Sequence, residues 1–135
     1  MGSQSQLNAY LALNSTKGFS LGTHDCLLWV NGAYEALNGE PIDAREISRY
    51  KSHGPAAVLR SVRERFGAET LTEALDHMLT RVDGIPPRGA IVSTKKAAMK
   101  HANAALGIAN GNVALFLGQK GYEPLPIDEI DWAWI

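Results

Sequence analysis

Thr23-His24-Asp25-Cys26-Leu27-Leu28-Trp29-Val30-Asn31-Gly32-Ala33-Tyr34-Glu35-Ala36-Leu37-Asn38-Gly39 is the stretch on which the reading of the fold turns. Thr23 and Asp25 are residue types that cap a helix start, because a short side-chain oxygen accepts a free backbone N–H. Leu27, Val30, Tyr34 and Leu37 then recur at helical spacing, and Gly39 supplies a stop. Leu28, Trp29 and Ala33 make the segment apolar on most sides. A helix from Cys26 to Leu37 is therefore predicted to be central and largely buried.

Upstream, Leu7, Tyr10, Leu11 and Leu13 predict a short amphipathic helix over 7–13, and Ser15, Thr16, Gly18 and Gly22 mark a loop over 14–22. Met1-Gly2-Ser3 is left out of the fold argument. Downstream, Pro41 to Tyr50 reads as a loop with a helical turn. Pro55 opens a helix that turns Val58, Leu59, Val62 and Phe66 to one side. A further amphipathic helix runs from Thr70 to Leu79, with Leu71, Ala74, Leu75 and Met78 inward. After Gly89 the pattern changes to short β candidates at 90–93, 105–109 and 113–117. The last two are joined by Asn110-Gly111, a strong hairpin signal. Lys120-Gly121 marks a second turn toward Tyr122, and Trp132 to Ile135 is either a last strand or an aromatic tail. The fold class is α+β: helices first, then a small antiparallel sheet.

The chain has 135 residues, 45% hydrophobic and 20% charged, which predicts one domain over 1–135 and excludes a disordered or low-complexity protein. Thirteen basic and fourteen acidic residues give a net charge of −1, so the surplus of positive charge typical of nucleic-acid binders is missing. Lys95, Lys96 and Lys100 with Arg88 form a basic group without interleaved aromatics, and no nucleic-acid partner is expected. No apolar stretch reaches the length of a membrane span, and the first residues lack the basic and apolar regions of a signal peptide. One cysteine excludes an internal disulfide framework. No spacing suits a metal site and no Gly-rich phosphate loop occurs, so neither metal nor cofactor is expected. Asp128, Glu129 and Asp131 read as a solvated edge.

Cys26 sits at the first turn of the central helix, where free N–H groups and the helix dipole favour a thiolate. A cysteine so placed is a candidate nucleophile, and a small buried hydrophobe is the competing reading. Asp25 reads as the cap, and His24 either pairs with the thiol or anchors the loop. His53 falls in a polar Ser-His-Gly loop, His77 on an exposed helix edge, and His101 in a basic polar stretch before the hairpin.

Phe19-Ser20-Leu21-Gly22-Thr23-His24-Asp25-Cys26 resembles the start of the NlpC-type papain-like peptidases, where a glycine-containing loop leads to Asp-Cys at the mouth of a buried helix. It is more closely similar to a family of small phage and prophage proteins of unknown function that share a Gly-x-His-Asp-Cys motif. Gly89-Ala90-Ile91-Val92, Ala105-Leu106-Gly107-Ile108 and Ala133-Trp134-Ile135 match the further segments of that family, so the resemblance spans nearly the whole chain. It implies a papain-like (NlpC-type) fold and a place at the tail tip of the phage virion, after synthesis in the host cytoplasm. The implied partners are other phage tail proteins, of the hub or tip, and peptidoglycan.

The peptidases carry a histidine base where this chain reads Ala105. Leu21 replaces their loop tryptophan, and Ala90 stands where an acidic residue is usual. Without an imidazole the thiol lacks a proton acceptor and the leaving amine an acid. The resemblance therefore implies a structural or adaptor subunit with a degenerate, inactive cysteine-peptidase site. The alternative is an active cysteine peptidase or amidase on peptidoglycan peptides, with Cys26 as nucleophile and His101 or His24 as base. A soluble α+β domain of unrelated function is the third reading. Trp132 and Trp134 are candidate anchors for a partner, or else pack over the protein's own core.

Overall fold

A computed structural model describes residues 2–18, 25–95 and 105–135. Among them are five α-helices, α1 (Gln4–Leu13), α2 (Cys26–Asn38), α3 (Ala44–His53), α4 (Pro55–Phe66) and α5 (Leu71–Met78). Five strands follow: β1 (Ile91–Thr94), β2 (Ala105–Asn110), β3 (Val113–Leu117), β4 (Tyr122–Pro126) and β5 (Trp132–Trp134). All pair antiparallel in the order β4-β3-β2-β1-β5. The α+β class follows.

Local chemistry explains the helix ends. Asp25 caps α2 by accepting the Leu28 N–H, and Gly39 closes the helix in the left-handed conformation at φ 87°. Ser3, set aside in the sequence reading, caps α1 through its Oγ, and its own N–H donates to the Ala36 carbonyl. The opening residues thus belong to the α1–α2 packing. Pro55 stands at the first turn of α4, where its missing N–H costs nothing.

Helix α2 is apolar on most sides because it lies between two layers. Trp29, Val30 and Ala33 join Leu7, Leu11, Leu75, Ile91, Leu106, Ile108 and Trp134 in the main core beside the sheet. Leu27 and Leu28 reach the second layer, where Tyr50, Val58, Val62, Ala68 and Ala74 of the α3–α5 unit are buried. The opposite sheet face carries small side chains, Ala90, Ala109, Ala114 and Ala133, with Val92 and Phe116, and packs against Ile127 and Ile130.

Four expectations are corrected. The segment predicted as a loop over 41–50 contains most of α3, a ten-residue helix. Asp43 caps it by accepting the Glu46 N–H, and Glu46, Ile47 and Tyr50 form its buried face. Few apolar residues mark that face, because Glu46 is buried as an ion: Arg65 bonds it at 2.5 Å and the Ser61 hydroxyl at 2.8 Å, tying α3 to α4. Leu59, expected on the inner face of α4, is 44% exposed, while Ser61 takes an inward position beside Glu46. A turn near Tyr122 proves to open a full strand, β4, whose Pro124 and Pro126 hid it from a propensity reading. Strand β1 runs 91–94, one residue later than expected.

Trp134 is fully buried, its indole N–H donating to Asp76 Oδ1 at 2.9 Å. The core takes it, so it is no surface anchor. Trp132 stays 43% exposed, with the Arg81 guanidinium 3.9 Å from its ring centroid. Residues 80–82 bond along the outer side of β5, through Thr80 and Ile135 in both directions and from the Val82 N–H to the Ala133 carbonyl.

Gly107 faces Val92 and Phe116 in the sheet. A Cβ there would strike the Leu115 carbonyl oxygen and lie 2.7 Å from the Phe116 ring. Gly107→Ala is expected to cost about 1–3 kcal/mol by overpacking, read as a lower urea midpoint at unchanged slope.

Candidate functional site at the start of α2

The site begins with a buried carboxylate. Asp25 is 3% exposed. Its Oδ1 accepts the Leu28 N–H at 3.0 Å, and its Oδ2 accepts the Tyr50 hydroxyl at 2.5 Å. Tyr50 arrives from α3, is 7% exposed, and sits three residues after Ile47 on the buried face of that helix. One carboxylate therefore starts α2 and anchors α3 to it.

Cys26 follows directly as the first residue of α2 and is half-buried against the main core. The backbone N–H groups of Leu106, at the start of β2, and of Leu27 and Cys26, at the helix start, act to lower its pKa. Leu106 lies outside the β2–β3 register, which begins at Gly107. Burial acts the other way and dominates, pushing the thiol up, and the Asp25 charge adds to it. The result is a neutral thiol at physiological pH. The Tyr50 phenol is also pushed up, first by burial, then by its bond to Asp25 and by the charges of Asp25 and Cys26.

The approach to this site from α1 is held by close backbone packing. Gly18 runs against the Gln119 carbonyl in the β3–β4 turn so tightly that a Cβ would overlap it. Tyr122, at the start of β4, donates to the Leu11 carbonyl at 2.6 Å and lays its ring 5.2 Å from that of Trp29.

Of the residues singled out in the sequence, Asp25 and Cys26 stand side by side as expected, and Ala105, the position matched to the peptidase base, is the first residue of β2 beside Leu106. His24 and His101 lie outside the described residues. His53 ends α3 instead of standing in a loop; it is exposed, with Nδ1 2.8 Å from Ser52 Oγ. His77 is exposed and stacked on Phe66 at 4.9 Å. Tyr50 was missed, because its helix was read as a loop. The signal was present in Asp43-x-x-Glu46, a capping pattern followed by Ile47 and Tyr50 at helical spacing.

Among the described residues no group of three His, Cys, Asp or Glu side chains is arranged to hold a metal ion. Asp131 instead accepts the Lys95 N–H at 2.7 Å. Arg88, of the basic group, bonds Asn110 at 2.7 Å and Gln4 at 2.8 Å, joining the hairpin to α1. Among the described residues no helix is long and apolar enough to cross a membrane.

Alkaline pH is expected to destabilise the fold. Cys26 and the tyrosines Tyr10, Tyr34, Tyr50 and Tyr122 are all pushed up, burial being the first cause in each. In the unfolded chain they ionise near 8.5 for cysteine and about 10 for tyrosine. Their contribution is whole below those values and is lost as pH rises from them toward the folded-state values. The urea midpoint is expected to fall between pH 8 and pH 10.5, and to fall less in Tyr50→Phe.

No curated protein and no solved structure matches the chain. One family model does, over residues 2–135, and so covers α1 to β5 and the whole Asp25–Cys26–Tyr50 site. By that match the chain belongs to the family described as a domain of unknown function, DUF6950.

Proposed function

We propose that this chain is a papain-like domain of the NlpC type whose cysteine site no longer catalyses, and that it serves as an adaptor subunit in a phage tail tip. The carrying observation is the pairing of Cys26 with the start of β2. Beside the head of α2 the start of β2 turns Leu106 into the same core as Cys26, while Ala105 packs on the opposite sheet face, and neither side chain has a proton to exchange. A cysteine peptidase needs a thiolate and an imidazole within reach of it. Here burial and Asp25 disfavour the thiolate. The order of elements, a cysteine-headed helix packed on an antiparallel sheet, also supports the reading. The tail-tip assignment rests on the Gly22-x-His24-Asp25-Cys26 resemblance, and the expected partners are tail-hub or tail-tip proteins. An active peptidase would draw its base from His24 or His101.

The test combines chemistry and location. The protein is expected to release nothing from peptidoglycan stem peptides, and Cys26 to alkylate more slowly than free cysteine at pH 7.5. Mass spectrometry of purified virions from the encoding phage or prophage is expected to find the chain among tail proteins. Turnover of stem peptides that vanishes in Cys26→Ala would overturn the non-catalytic reading, and absence from virions and from tail-assembly complexes would overturn the adaptor role.

A further inference from the structure

Tyr50 has no part in the reading above, yet its hydroxyl makes the 2.5 Å buried contact with the residue next to Cys26. The two residues are 25 apart in sequence and meet across the α2–α3 junction. Among its bonds Asp25 accepts the Leu28 N–H that begins α2 on one oxygen and the Tyr50 hydroxyl on the other. A carboxylate held by two donors cannot swing away from the thiol, and each donor draws part of its charge.

We infer that Tyr50 is a positioning residue for Cys26: through its hydrogen bond it fixes the Asp25 carboxylate and sets how strongly that charge opposes a thiolate. This deepens the proposed function, since it supplies the regulation of the same cysteine and rests on Cys26 being the residue of interest. Among the described residues the titratable side chain that acts on the thiol is Asp25, from the head of its own helix, and Tyr50, from α3, meets it through that carboxylate. β2, the other element against it, contributes only the backbone of Leu106, and carries no titratable side chain between Ala105 and Asn110.

The opposed roles of the two side chains make the inference testable by a pH profile. Alkylation of Cys26 by iodoacetamide is followed from pH 6 to pH 10 in the full chain, in Asp25→Asn, in Tyr50→Phe and in the double variant. Asparagine still caps a helix and phenylalanine keeps the ring, so both folds are retained, and the far-UV spectrum and melting temperature check this. Asp25→Asn removes the charge and is expected to lower the alkylation midpoint by about one pH unit, the size of a near charge effect. Tyr50→Phe leaves the charge less tempered and is expected to slow alkylation at pH 9 by roughly threefold, equal to half a unit. In the Asp25→Asn background Tyr50→Phe is expected to add nothing, because it acts through the carboxylate.

A Tyr50→Phe profile identical to the unmodified chain, or an equal Tyr50→Phe effect in both backgrounds, would overturn the inference. A merely structural role would lower the melting temperature and leave the profile in place. A midpoint below pH 8 in the unmodified chain would instead overturn the non-catalytic reading, while the shifts between variants would still decide the role of Tyr50.

Discussion

The hydrogen bond from Tyr50 to Asp25 is the joint from which the helical half of the molecule is built. Both residues are buried, so the bond replaces one that each group loses when it leaves water. The cap it steadies starts α2, and α2 is the one helix shared by the sheet-side core and the α3–α5 layer. Breaking the joint would release α3 from the start of α2, leaving the Glu46–Arg65 and Ser61 bonds to tie α3 to α4 alone.

The same joint separates two demands usually met together. A helix start with free N–H groups stabilises a thiolate, as it does any anion. The best N-cap is itself an anion, placed one residue before the sulfur. In this chain the cap is buried and doubly bonded, so the helix start is already occupied by negative charge. Burial of Cys26 among apolar neighbours then completes the opposition. Three backbone donors around the sulfur are outweighed by what surrounds them.

Much of this was legible in the residues. The Asp25 cap, the all-round apolar α2, the Gly39 stop, Pro55 at the head of α4 and the Asn110-Gly111 hairpin each carry a local reason that tertiary packing did not override. The illegible parts share a cause. Helix α3 hides its buried face behind Glu46, a charge that becomes a core residue only because Arg65 and Ser61 arrive from another helix. Strand β4 contains two prolines and becomes a strand only by pairing with β3. Tyr50 acquires its partner 25 positions away. Each depends on a contact distant in sequence, and periodicity reports only near ones.

Those prolines have a consequence for how the molecule behaves among its own copies. Backbone donors alternate sides along a strand, and the Ile127 N–H turns inward to the Asn112 carbonyl, so Pro124 and Pro126 occupy the outward positions of β4. That edge of the sheet therefore lacks two of the N–H groups that an incoming strand would use. At the other edge, residues 80–82 already fill the outer side of β5, with Arg81 laid across Trp132. Among the described residues both margins of the sheet are thus poor templates for strand addition, which works against cross-β polymerisation when many copies are crowded together.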